Sequence, residues 1–158
     1  MKNISVLVPE GETSLSNLEA TYKMFTKVNE ALERKGGEPL FNVQLVGLNP
    51  ESRIRDGIFN VKPHCLIGNV DKTDLVIIPA VHGNMEEVVE ANRDFIPWIL
   101  KQHRQGAEIA SLCIGAFLLA ATGLVDGKTC TTHWLSADEF RRMYPRVNLT
   151  AYKNRNGG

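Results

Sequence analysis

Asp74-Leu75-Val76-Ile77-Ile78-Pro79 decides the fold class. Four consecutive aliphatic residues between turn formers make the strongest strand signal in the chain. Continuous rather than alternating apolarity predicts a strand covered on both faces, as in a parallel sheet with helices on either side. Upstream, Ile4 to Val8 is a short apolar, β-branched run ended by Pro9, which reads as a buried strand. Leu15, Leu18, Tyr22, Phe25, Val28 and Leu32 recur at three- and four-residue spacing, so residues 14–34 read as an amphipathic helix, stopped by Gly36-Gly37 and Pro39. Phe41 to Leu48 reads as a second strand, and Ile58 to Val61 as a short one at the sheet edge. Downstream, residues 92–105 read as a helix ended by Gly106, followed by a buried strand from Glu108 to Leu112. A small-residue helix from Ile114 to Ala121 and a strand from Thr129 to Thr132 come next. Ser136 with Glu139 three residues on matches a capping box, and Val147 to Tyr152 reads as a last strand. Strand and helix alternate without repeat or linker, which predicts one doubly wound α/β domain.

Composition agrees. The 158 residues carry 18 Lys+Arg against 18 Asp+Glu, with 43% hydrophobic residues. That is the profile of an ordinary globular domain, long enough to bury roughly 70% of its extended-chain surface. Zero net charge gives no reason to expect nucleic-acid or membrane-surface binding by this chain itself. No apolar run is long enough to span a bilayer. Three scattered cysteines, Cys65, Cys113 and Cys130, do not form a disulfide framework or a zinc pattern, so a cytoplasmic setting is expected. His64-Cys65 has no second partner at ligand spacing, so no metal site and no cofactor are expected.

Ligands of doubly wound sheets gather at the carboxyl ends of the strands. Ala110-Ser111-Leu112-Cys113-Ile114-Gly115-Ala116 places a cysteine there, between a strand and a helix. A thiol on such a turn is exposed and faces a helix amino terminus, which favours thiolate. Gly115 would let backbone approach a bound molecule. The plainer alternative is one more inert buried cysteine. His133 ends the predicted Thr129–Thr132 strand and would meet Cys113 at the same edge, as proton acceptor or as thiolate partner; otherwise it is a hydrogen-bonded structural histidine beside Trp134. Pro79-Ala80-Val81-His82-Gly83-Asn84 leaves the central strand at this edge too, where its N–H groups could build an oxyanion nest. His82 itself reads as a rim residue. Glu10 and Glu12 read as loop charges, His103 as part of a solvated face and Cys130 as core.

The run from Cys113 to Trp134, with Gly-Leu-Val-Asp-Gly-Lys at 123–128 and Thr-Thr-His-Trp at 131–134, closely resembles the ThiJ/PfpI superfamily, the class I glutamine amidotransferase-like domains. Within it the chain looks most like the amino-terminal domains of AraC-type transcription regulators, which carry a carboxyl-terminal double helix-turn-helix. The resemblance runs from the opening strand to about Tyr144 and implies a flavodoxin-like, three-layer α/β/α fold. Isonitrile hydratases and peptidase-like and glyoxalase-like enzymes share the same motifs. Enzymes of the superfamily place an acid after the first strand; here that position is Asn17, beside Ser16. An amide cannot take a thiol proton as a carboxylate does. The Gly-Pro that usually follows is Ala20-Thr21, the residue after the cysteine is Ile114 rather than His, and the usual Pro-Gly-Gly loop reads Pro79-Ala80-Val81.

These departures predict a pocket kept for binding: the ligand-sensing and dimerising domain of an AraC-type regulator. Cys113 and His133 would be vestigial catalytic residues, and Asn17, Ala80, Val81, His82, Gly83, Ile114 and Gly115 would line a small-molecule effector site. DNA would be bound only through a helix-turn-helix domain downstream, residues 1–158 being a single amidotransferase-like domain truncated at its carboxyl end. The alternatives are an enzyme in which Cys113 attacks a small electrophile, and a thiol sensor whose Cys113 oxidises reversibly.

Overall fold

The computed structural model describes residues 1–150. Its first half contains β1 (Lys2–Val8), β2 (Glu12–Thr13), α1 (Leu15–Arg34), β3 (Phe41–Gly47), β4 (Ser52–Ile54), β5 (Phe59–Val61) and β6 (Cys65–Leu66). The second half adds β7 (Leu75–Ile78), β8 (Val81–His82), α2 (Met85–Ala91), α3 (Phe95–Arg104) and β9 (Glu108–Ser111). α4 (Ala116–Ala121), β10 (Thr129–Cys130), α5 (Ala137–Met143) and β11 (Asn148–Leu149) complete it.

Five strands form one parallel sheet in the order β6-β3-β1-β7-β9. The central strands alternate sides within their continuous apolar runs. Ile4, Val6, Val8, Val43 and Ile77 pack with Leu18 of α1 on one face. Leu7, Val46, Val76 and Ile78 pack with Phe95, Trp98 and Ile99 of α3 and Leu118 and Leu119 of α4 on the other. The three-layer α/β/α architecture expected from the Asp74–Pro79 run is therefore present, and its middle strands are the ones read from sequence.

Several boundaries differ. Phe59–Val61 does not edge the sheet. It pairs antiparallel with Ser52–Ile54, and β6 takes the edge instead. The turn of this hairpin holds Arg55, Asp56 and Gly57 all at positive φ. The single helix expected over 92–105 begins at Phe95, and a separate helix, α2, precedes it. Asn84 caps α2 by accepting the Glu87 N–H at 3.1 Å, with Glu86 and Glu87 in its first turn. The Thr129–Thr132 strand shrinks to Thr129–Cys130 and leaves the main sheet to pair with β11. The Ser136 capping box does not form, because Ser136 ends a 3₁₀ turn and makes no side-chain cap bond. Of the last expected strand, Asn148–Leu149 is present, and Ala151 and Tyr152 lie outside the described residues.

Candidate functional site

The carboxyl ends of β1, β7 and β9 converge where the sequence points. Leu112 continues the β9 ladder, its N–H donating to Ile78 O at 2.9 Å. At Cys113 the chain turns to a φ of +51°, a conformation that L-residues adopt at a cost. The side chain is exposed. Behind it, Gly115 closes the turn by donating its N–H to Leu112 O at 2.8 Å. A Cβ on Gly115 would sit 2.5 Å from Ile78 O and 2.7 Å from Pro79 O. Glycine is needed here because the turn presses on the backbone at the end of β7. Ile114 and Gly115 are buried, and α4 drives Ala116 to Ala120 into the core, Phe117 meeting Phe140 edge-on at 5.1 Å.

Asn17 lies in the first turn of α1, whose amino terminus Ser14 caps by accepting the Asn17 N–H at 3.3 Å. The Asn17 carboxamide oxygen accepts the Ala80 N–H at 3.0 Å, and the Ser14 N–H donates to Ala80 O at 2.8 Å. Both backbone groups of Ala80 are thereby engaged by α1, so its N–H is not free to meet an oxyanion. Val81 pairs with Thr13 across β2 and β8, and both Ala80 and Val81 are buried. His82 and Gly83 are exposed beyond them, with Gly83 at φ +129°.

His133 does not occupy a strand end. Its Nδ1 accepts the Leu135 N–H at 3.4 Å, and its ring stacks on Trp134 with centroids 6.0 Å apart. With Nδ1 accepting, the neutral ring carries its proton on Nε2 and has no second lone pair for a thiol proton. The link to the cysteine runs through the preceding residue, as Thr132 Oγ1 donates to Cys113 O at 3.4 Å. Among the described residues, no hydrogen bond joins the Cys113 sulfur to His133 or to Asn17. Cys130 is half-buried, and burial pushes its thiol up from the ordinary range, as it does for Cys65.

Next to Asn17 lies a cavity of about 220 Å³ lined by Thr13, Ser14, Ser16, Ile54, Arg55 and His82. Sequence reasoning found Asn17 and His82 but missed Arg55, which the β4–β5 hairpin carries to this place; the Arg-Asp-Gly turn signal at 55–57 was the available clue. Glu12 fastens the hairpin, its carboxylate accepting the Arg55 N–H at 3.3 Å, and Glu10 accepts from Asn49 at 2.9 Å. His64 spends its Nδ1 on the Leu45 N–H at 2.8 Å and stacks on Tyr22. Among the described residues no group of three His, Cys, Asp or Glu is placed to hold a metal ion, and no helix is long and apolar enough to cross a membrane.

The HTH-type transcriptional regulator CdhR of Pseudomonas aeruginosa is 32% identical over 79 residues, half of this chain and 23% of that protein. An isonitrile hydratase of Pseudomonas putida is 31% identical over 98 residues, 60% of this chain and 39% of that enzyme. The chain thus matches well under half the length of either curated relative. In three dimensions, a candidate transcriptional regulator protein from Vibrio parahaemolyticus superposes with a TM-score of 0.80 at 22% identity, over 94% of this chain and 75% of that one. The DJ-1/PfpI family model matches residues 6–149, from the first central strand through the cysteine turn to β11. With the sheet order, the turn at Cys113 and that match in agreement, the chain belongs to the DJ-1/PfpI family.

Proposed function

We propose that this chain is the ligand-sensing and dimerising domain of an AraC-type transcriptional regulator, working in the cytoplasm and reaching DNA through a helix-turn-helix domain outside residues 1–158. The observation that carries this reading is the Asn17–Ala80 hydrogen bond. At the place where the family's enzymes put an acid, a neutral amide takes up a backbone donor that an oxyanion would need. The 32% identity to an HTH-type regulator supports the same direction. The effector site would be the Thr13–Ser16, Arg55 and His82 cavity, which the 80–83 loop enters through His82. At about 220 Å³ it suits a small metabolite. Its hydroxyls and its one guanidinium suit a polar, anionic group. An effector acts only by binding two arrangements of the dimer unequally.

A second reading, in which Cys113 attacks a nitrile-like, carbonyl or amide carbon, is favoured by the exposure of Cys113 at positive φ and by the isonitrile hydratase relative. One experiment separates the two. Thermal unfolding of the parent and Cys113→Ala is followed with a panel of small carboxylate-bearing metabolites, and turnover of isonitrile and amide substrates is assayed in parallel. The sensor reading expects a ligand that raises Tm equally in both proteins, with no turnover. Turnover abolished by Cys113→Ala establishes the enzyme instead.

A further inference from the structure

Asp-Gly occurs twice in the chain, at 56–57 and at 126–127, and the fold holds the two steps very differently. Asp126-Gly127 lies in a tied loop: the Asp126 N–H donates to Gly123 O at 3.2 Å, the Lys128 N–H to Val125 O at 2.9 Å, and the Gly127 N–H to Arg146 O at 2.8 Å. Asp56-Gly57 forms the tip of the β4–β5 hairpin, where every residue from Arg55 to Asn60 is exposed. Arg55, Asp56 and Gly57 stand at φ values of +55°, +55° and +85°. Two side-chain-bearing residues in a row thus hold a backbone conformation that favours glycine. Across the turn runs one backbone bond, from the Ile58 N–H to Arg55 O at 3.1 Å. Among the described residues, no hydrogen bond engages the Gly57 N–H or the Asp56 carboxylate, and a Cβ at Gly57 would meet nothing within 4 Å.

We propose that Asp56-Gly57 is a site of spontaneous covalent modification, where the chain rearranges to isoaspartate. The Gly57 amide nitrogen attacks Cγ of the protonated Asp56 carboxyl group. The N–Cγ bond forms, the C–OH bond breaks, and the hydroxyl leaves with the amide proton as water, giving a five-membered cyclic imide. Water then opens the ring. Breaking the N–Cγ bond restores aspartate. Breaking the bond from the nitrogen to the main-chain carbonyl carbon of Asp56 sends the backbone through Cβ and Cγ instead. No oxidant, reductant or other reactant is consumed. The attack needs an unengaged N–H, an uncrowded nitrogen and a backbone free to rotate, and an exposed glycine at a turn tip offers all three. At 126–127 the nitrogen must first break from Arg146. The rearranged turn carries an extra methylene in its backbone and a free α-carboxylate, so the Ile58–Arg55 closure loses its register. Arg55 is the guanidinium of the cavity of about 220 Å³, and the modification would carry it out of place. That consequence for effector binding rests on the sensor reading; the chemistry at Asp56 does not.

Ageing the folded chain at mildly acidic pH and physiological temperature, beside a sample in guanidinium chloride, tests it. Proteolytic peptides are then mapped by chromatography and mass spectrometry. An isomer of unchanged mass is expected at Asp56, accumulating at least roughly tenfold faster than at Asp126, because Gly127 reacts only after local opening. In denaturant the two steps should age at similar rates. Asn156-Gly157 reaches the same kind of imide with loss of ammonia, so its product differs in mass. Asp56→Glu should abolish the isomer at 56 and leave that at 126 unchanged, since glutamate needs a six-membered ring. No isomer at Asp56 in the folded protein, or a ratio of rates no greater than in denaturant, overturns the proposal. Tm shifts with the carboxylate panel, measured on fresh and aged protein, test the consequence. An undiminished shift in isomerised protein detaches Arg55 from the effector site. No shift in fresh protein counts against the sensor reading and leaves the isomer at Asp56 standing.

Discussion

Cys113 and His133 stand twenty residues apart at the same end of the sheet, and the fold holds them very differently. Under Cys113 the backbone is fixed from several directions: the ladder bond from Leu112, the contact of Gly115 with two carbonyls, and a helix whose first five residues are all buried. Around His133 the bonds are those of its own 3₁₀ turn, the Leu135 N–H to Nδ1 at 3.4 Å and the Ser136 N–H to the His133 carbonyl at 2.9 Å, and Trp134 and Leu135 are 53% and 70% exposed. Tight packing permits few alternatives, whereas an exposed 3₁₀ turn can move at little cost. The scaffold that presents a thiol is intact, while the group that would move its proton is turned to its own backbone. This difference is why the cysteine alone is poor evidence for turnover.

The contrast can be broken at its strong side first. Gly115→Ala forces a methyl into the Ile78 and Pro79 carbonyls and should cost about 3 kcal/mol or more in urea unfolding. A loss under 1 kcal/mol would mean that the turn is not clamped. Asn17→Ala frees the Ala80 N–H and should cost about 1 kcal/mol, whereas Asn17→Asp keeps an acceptor and stability close to the parent. If the parent shows no turnover and Asn17→Asp gains it, the missing acid alone explains the difference. Tyr144 packs on Phe117 and Phe140 below the cysteine turn, and burial pushes its hydroxyl up to about 12. Its folded pKa lies above the unfolded value of 10.0, so the stability it contributes is complete below pH 10 and is lost as the pH rises towards 12. Ultraviolet titration should show one tyrosine ionising late, followed closely by unfolding. The smallest effect is expected at the loose side, where His133→Ala should change stability by less than about 0.5 kcal/mol. A larger loss, measured by the same unfolding, would show that His133 is structurally engaged after all.

Much of this arrangement was legible before the structure. The runs Ile4–Val8 and Leu75–Ile78 announced the middle of the sheet because burial on both faces favours near-continuous apolar residues, with Ser5 the exception, its hydroxyl bonded to Thr73 at 2.9 Å. The spacing from Leu15 to Leu32 announced α1, and the position of Cys113 announced its turn. Other features were hidden for physical reasons. α2 follows the β7–β8 turn within a few residues, and its sole early sign was the capping residue Asn84. The capping-box pattern at Ser136 failed because a 3₁₀ turn starting at His133 reached Ser136 first. The Asn17–Ala80 bond joins residues 63 positions apart, and Arg55 enters the cavity on a hairpin braced by Glu12. No local pattern encodes such meetings.

The small β10–β11 pair gives the site a mechanical handle. Thr150 donates its N–H to Cys130 O at 2.9 Å, and Asn148 to Lys128 O at 3.0 Å, so the last described residues are stitched to the segment that leads into Thr132. Thr132 in turn holds the Cys113 carbonyl. A pull on the chain at Thr150 therefore reaches the cysteine turn through two hydrogen bonds and two residues of backbone.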